Sequence, residues 1–348
     1  MNNAGYDTVA IGKMHFAPVR CSHGFNRMYL MEEYPKYRED DEYLQYLAAN
    51  GYGNIASVHG VRNYLYMRPQ QSLLPDELHG SSFVADKTIA LLEERDGSRP
   101  FMYWTSFIAP HPPFNVPADW AHLYDDIELP APLASKTPLC AIAEGNKAIA
   151  EFSSREEFRR AVRLYHCSVA FVDYQIGKII DKLKEKDLYD NTLVIFTSDH
   201  GEMLGDYGTF QKFLPYDQAC RIPFICKPPK ENELQVSDNA FIDLYDILPT
   251  FLDITQVSYP AEIKLPGESL FSSEEKRDRN KEIIEYNQGN KRWLSITDGK
   301  FKFNYFFGDG QMELFDLTQA GNEAENLLCD QKDTYTEISR PYYEELKN

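Results

Sequence analysis

With 348 residues and a formal net charge of −18, the chain can bury a large core but lacks the basic face needed to grip nucleic acid over a broad surface. Hydrophobic residues at 43% and aromatic residues at 14% exclude a disordered chain and leave a packed enzyme as the default class. The six cysteines have no CxxC spacing, which argues against a zinc knuckle or a dense disulfide framework and leaves buried free thiols as the expectation.

Met1–Ala4 reads as the last turn of a helix with Gly5 as its C-cap, and Tyr6–Ile11 as a strand. A four-residue helix cannot nucleate itself, so Met1 is expected to be an internal position of a longer, N-terminally truncated protein. Residues 1–20 carry no signal-peptide pattern, and no stretch is long and apolar enough to span a membrane. Thr8–Ile11 is an apolar run leading to Lys13 and His15. A helix is predicted over Ser82–Glu94. A second apolar run, Phe101–Ile108, leads to His111. Asp119–Ser154 is a long, proline-bearing excursion of the kind that shapes substrate pockets. Tyr165, Val169, Val172, Ile176, Ile179 and Leu183 recur at spacings of three and four, the core stripe of an amphipathic helix.

A third run, Leu193–Thr197, leads to Asp199 and His200. Runs apolar on both faces suit buried parallel strands covered by helices, and open α/β sheets hold ligands at the carboxyl ends of such strands. Tyr245–Ile254 reads as a helix, and Pro260, Pro266 and Gly267 then mark a boundary between a domain over 1–255 and a smaller one over 256–348. Within the latter, Glu282–Tyr286, Trp293–Thr297, Phe301–Phe306 and Glu313–Leu317 read as short strands with turns at Asp298-Gly299 and Asp309-Gly310, closed by a helix from about Thr334. The expected class is α/β: a mostly parallel sheet between helices, with a small C-terminal antiparallel subdomain.

Ser198-Asp199-His200-Gly201-Glu202 sets a carboxylate beside an imidazole at a strand end, and such a pair can share one divalent cation. An N-cap aspartate beside a surface histidine is the plain alternative. Lys13 alone could be a solvated loop lysine, His15 a core histidine and His111, between prolines, a rigid turn. Their joint appearance after successive strands favours one anion-handling site.

With Met203-Leu204-Gly205-Asp206-Tyr207-Gly208 and Lys212, the Asp-His stretch resembles the metal-binding signature of the sulfatases, members of the alkaline phosphatase superfamily. Ala4-Gly5-Tyr6 with Gly12-Lys13-Met14-His15-Phe16 resembles that family's first lysine-histidine motif, followed by His23-Gly24-Phe25. Pro110-His111-Pro112-Pro113-Phe114 resembles the second histidine motif. Lys212 with Arg221-Ile222-Pro223 is similar to the late lysine and the strand after it, and Glu313-Leu314-Phe315-Asp316-Leu317 with Glu325-Asn326-Leu327 to the C-terminal subdomain.

The resemblance implies an alkaline-phosphatase-like fold in which Asp199 and His200 ligate a divalent metal, calcium in the first instance. Lys13, His111 and Lys212 would contact the sulfate, and His15 would hydrogen-bond the nucleophile. It also implies a formylglycine nucleophile made within a Cys/Ser-x-Pro/Ala-x-Arg signature, and a pair of aspartates on the first strand. Neither occurs in this chain: Ala17-Pro18-Val19-Arg20 matches the latter half, with Phe16 where Cys or Ser is needed. The expected activity is therefore that of a sulfuric ester hydrolase on a sulfated carbohydrate or other small sulfate ester, with the 348-residue chain inactive for want of the nucleophile segment. A phosphodiesterase or phosphonate monoester hydrolase of the same superfamily is the enzymatic alternative. A non-catalytic anion- or partner-binding module is the other. The partner is a small sulfated substrate, with no nucleic acid and no membrane span.

Overall fold

In the computed structural model, which describes residues 1–62, 65–145, 152–237, 240–260, 262–273, 279–319, 322–330 and 332–347, the first apolar run forms β1 (Asp7–Gly12). Val9, Ala10 and Ile11 are fully buried, because β1 lies between two parallel neighbours, β2 (Arg27–Leu30) and β3 (Phe101–Ser106). Between them the chain forms α1 (Glu42–Ala49) and α2 (Gly80–Glu94). The Asp41 carboxylate caps α1 by accepting from the Leu44 N–H at 2.8 Å, and His79 caps α2 by accepting from the Ser81 N–H at Nδ1. Since Nδ1 accepts, Nε2 carries the proton and donates to the Asn115 carbonyl, and burial pulls this imidazole down to about 4, so it stays neutral. Val9, Ile11, Leu47, Leu78, Phe83 and Val84 share one hydrophobic core, each contributing about 1.5–3 kcal/mol where fully buried.

The chain divides into two compact units, the first comprising residues 1–129 and 152–192, the second 130–151 and 193–348. The long helix α3 (Arg155–Glu185) belongs to the first. Ser154 caps its start, Glu156 and Glu157 occupy its first turn, and Lys182 and Lys184 its last, the arrangement a helix dipole favours. It packs on α2, tied by Gln175 to Ser82 at 3.0 Å and by Lys178 to Asp86 at 2.6 Å. Its buried face runs through Phe158, Ala161, Leu164, Cys167, Phe171, Val172, Gln175 and Leu183. Of the stripe expected from spacing, Val172 and Leu183 are buried, Tyr165, Ile176 and Ile179 half-buried, and Val169 exposed.

In the second unit, β4 (Val194–Thr197) pairs antiparallel with β5 (Phe224–Lys227), so the third apolar run joins a two-stranded ribbon. An apolar run specifies burial, not the direction of its partner. The predicted helix appears as a 3₁₀ turn, Leu244–Asp246, continuing into α4 (Ile247–Ile254). After it β6 (Glu282–Tyr286), β7 (Trp293–Thr297), β8 (Phe301–Phe306) and β9 (Met312–Asp316) make an antiparallel sheet in the order β9-β8-β7-β6, followed by α5 (Lys332–Leu346). Residues 146–151 of the predicted excursion lie outside the described residues. Cys140 and Cys167 are buried as expected, whereas Cys21 and Cys329 are exposed thiols. Among the described residues no helix is long and apolar enough to cross a membrane.

Candidate active site

The first unit gathers its chemistry where β1 ends. Gly12 has a left-handed φ of 92°, and a Cβ there would sit 1.9 Å from the Ser106 carbonyl oxygen, so only glycine lets β1 leave the sheet beside β3. The following loop hangs on one carboxylate. Glu32 accepts the Met14 N–H at 2.8 Å and the His15 N–H at 3.1 Å, and its own N–H donates to Asp41 at 2.7 Å. Burial, against the backbone donors of Glu32 and Leu44, raises the Asp41 carboxyl to about 6. His15 adopts a left-handed φ of 56° and leaves its ring exposed, with Nδ1 3.6 Å from Glu32.

Lys13 turns the other way, onto Glu33. Its Nζ lies 2.7 Å from Glu33 Oε1, the Arg62 guanidinium donates to Oε2 at 3.2 Å, and His111 Nδ1 stands 3.7 Å from Oε1. Burial alone would raise the Glu33 carboxyl, with its side chain 5% exposed; the Lys13 hydrogen bond and the charges of His111, Lys13 and Arg62 outweigh burial and hold it at about 2. Arg62 stacks over the Tyr34 ring at 4.2 Å and donates to its hydroxyl, and the Tyr66 ring meets His111 edge-on. Lys13 and His111, distant in sequence, therefore meet at one carboxylate, and His15 shares the loop of Lys13. Glu32, Glu33, Asp41 and Arg62 escape a sequence reading. The one available signal is an acidic pair directly after an apolar strand.

In the second unit Asp199 and His200 follow β4. Gly201 is again required, since a Cβ would lie 2.0 Å from the Gln218 carbonyl oxygen. The Gly201 carbonyl takes a hydrogen bond from His200 Nδ1 at 2.8 Å, so that nitrogen carries the proton and the lone pair sits on Nε2, 3.5 Å from Asp199 Oδ2. Lone pair and carboxylate are side by side, as two ligands of one cation would be. Half-buried Glu202 accepts the Gln211 and Leu204 N–H groups; desolvation lifts its carboxyl to about 6 against those donors and the charge of Lys212. A calcium ion takes about six to eight oxygens. Among the described residues no three His, Cys, Asp or Glu side chains stand together to hold a metal, so Asp199 and His200 fit part of a coordination shell and not a whole one.

A family profile described as Sulfatase matches residues 1–257, and one described as N-sulphoglucosamine sulphohydrolase, C-terminal, matches residues 205–348. The chain is 30% identical over 352 residues to an arylsulfatase of Clostridium perfringens, an alignment covering 94% of this chain and 72% of that one. A phosphonate monoester hydrolase of Agrobacterium radiobacter superposes with a TM-score of 0.76 at 22% identity, covering 99% of this chain and 78% of its own. A structure solved in complex with its substrate D-glucosamine-2-N,6-O-disulfate superposes with a TM-score of 0.74 at 19% identity, covering 99% and 79%. At these identities the superpositions establish the fold alone, a mixed α/β one.

Proposed function

The chain belongs to the sulfatase family, enzymes that hydrolyse sulfuric esters, and from that premise we propose that its own substrate is a sulfated carbohydrate or another small sulfate ester. The observation that carries the reading is the meeting of Lys13, Arg62 and His111 at the end of β1, a concentration of cationic groups on a chain whose net charge is −18. Carbohydrate sulfates come first because the C-terminal part matches the sulphoglucosamine sulphohydrolase profile.

Cleavage of the ester builds negative charge on the leaving oxygen and on the equatorial oxygens, and fixed cations stabilise that charge more in the transition state than in the ground state. Lys13 and His111 are assigned to the sulfate oxygens, and Lys212 keeps the anion-contacting role that its motif implies. His15, with its exposed ring and its backbone held by Glu32, is assigned to the proton of the nucleophile. Asp199 and His200 are the ligands this chain offers a divalent cation, calcium in the first instance, which when bound polarises an ester oxygen.

No Cys or Ser among the 348 residues begins the formylglycine signature, so this chain by itself is expected to give no turnover of an aryl sulfate. The test is to express the protein with any in-frame segment encoded ahead of Met1, and to compare aryl sulfate with aryl phosphonate in calcium buffer. Preference for the sulfate, with loss of about 100-fold or more in kcat/KM in Lys13→Ala and His111→Ala, is the expected result. Preference for the phosphonate would transfer the assignment to a phosphonate monoester hydrolase, the activity named for the Agrobacterium protein of the same fold.

A further inference from the structure

A site that receives an anion has a carboxylate at its centre. Glu33 is charged, almost fully buried, and met by Lys13 Nζ at 2.7 Å, Arg62 at 3.2 Å and His111 Nδ1 at 3.7 Å. If the cluster served only to attract negative charge, an amide or hydroxyl would hold Lys13 and Arg62 without opposing the ligand, since His111 Nδ1 is already held by the Pro112 carbonyl at 2.8 Å. Two permanent cations against one carboxylate leave a single positive charge before the His111 imidazole is counted.

We propose that Glu33 is a specificity-determining residue that matches the pocket to ligands carrying one negative charge and sets it against ligands carrying two. The inference rests on the assignment of Lys13 and His111 to the bound anion. A sulfate ester is a monoanion, as are phosphonate monoesters and phosphodiesters, whereas a phosphate monoester above neutral pH and free sulfate are dianions. Hydrolysis converts a monoanionic ester and water into an alcohol, sulfate dianion and a proton. The product therefore carries twice the charge of the substrate's ester group at the same place. Repulsion from a carboxylate a few ångströms away scales with ligand charge, so Glu33 opposes the product more than the substrate and favours its release. The same discrimination turns away phosphate monoesters.

Calorimetric titration of the full 348-residue chain with methyl sulfate and with inorganic sulfate, at pH 8 and constant ionic strength, separates the possibilities. In Glu33→Gln the affinity for inorganic sulfate is expected to rise about ten-fold relative to that for methyl sulfate, while Glu33→Asp keeps the wild-type ratio. An unchanged ratio in Glu33→Gln, including a parallel loss of both anions, overturns the proposal and reduces Glu33 to a structural counter-ion. Should Glu33→Gln fail to fold, Glu33→Ser carries the same test: the affinity for inorganic sulfate is expected to rise relative to that for methyl sulfate, and an unchanged ratio is fatal. If the wild-type chain binds none of these anions, the assignment of Lys13 and His111 falls first and takes this inference with it.

Discussion

Each unit of the molecule buries a cluster of opposite charges, and the two are built to different ends. In the first, Lys13, Arg62 and His111 surround the single carboxylate of Glu33, cationic groups are in excess, and Lys13 keeps 12% of its side chain exposed. In the second, Lys302 lies 2.7 Å from both Asp217 and Glu323, with Lys302 and Glu323 each only 1% exposed. Next to it Glu313 accepts from the Tyr216 hydroxyl and the Asn304 amide, both at 3.1 Å. Here carboxyl groups are in excess. Burial works against the charge on Lys302, yet Glu323 and Asp217 hold its ammonium above the ordinary lysine range, while burial lifts the Glu313 carboxyl to about 7. Burial and ion pairing are therefore not marks of a site in themselves. The sign of the unbalanced charge, and whether a ligand can reach it, distinguish a binding cluster from a structural one.

The contrast is open to direct attack. Lys302→Met leaves Glu323 buried without its counter-charge and is expected to destabilise the chain by about 3–5 kcal/mol in urea unfolding. A loss below about 1 kcal/mol would remove the structural role. Lys13→Met is expected to lower affinity for methyl sulfate about ten-fold, with a much smaller shift of the urea midpoint, since Arg62 still pairs Glu33. If its stability loss equalled that of Lys302→Met with binding unchanged, the two clusters would be the same kind of object.

The smallest expected effect is on pH dependence. Between its unfolded value near 4.5 and its folded value of about 7, Glu313 binds more protons folded than unfolded. Its contribution to stability therefore falls as pH rises across that window and is flat above it. Glu313→Gln should reduce the difference in urea midpoint between pH 5 and pH 8; an unaltered difference would show that Glu313 does not titrate there. Glu33 works in the opposite sense. Held at about 2, it contributes fully above 4.5 and loses that contribution as pH falls toward 2.

Much of the fold could be read in advance where one physical rule acts alone. The strands Glu282–Tyr286, Trp293–Thr297 and Phe301–Phe306 follow from β-forming runs closed by turn residues, and the structure places them at those bounds. Reading fails where tertiary context decides. In Phe301–Phe306, Lys302 and Asn304 alternate with Phe303 and Tyr305, the pattern of a strand with one wet face, but both faces are covered. Lys302 is buried because its partners, Asp217 and Glu323, come from 85 residues upstream and from a turn beyond β9. The site shows the same division. Lys13, His15, His111, Asp199, His200 and Lys212 stand out because they follow apolar runs or lie in motif contexts. Glu33 and Arg62 sit among ordinary charged loop residues, and no local rule distinguishes a buried charge from a solvated one.

Glu32 and Glu33 are neighbours with separate tasks: the first suspends the backbone of Met14 and His15, the second faces Lys13, Arg62 and His111. The spacing from β2 to this pair is thereby fixed to the residue. A single insertion between Leu30 and Glu32 would carry Glu32 to the position of Glu33, and deletion of Met31 would carry Glu33 to that of Glu32, displacing the loop and the cation cluster together. Length variation in this stretch should be far less tolerated than substitution.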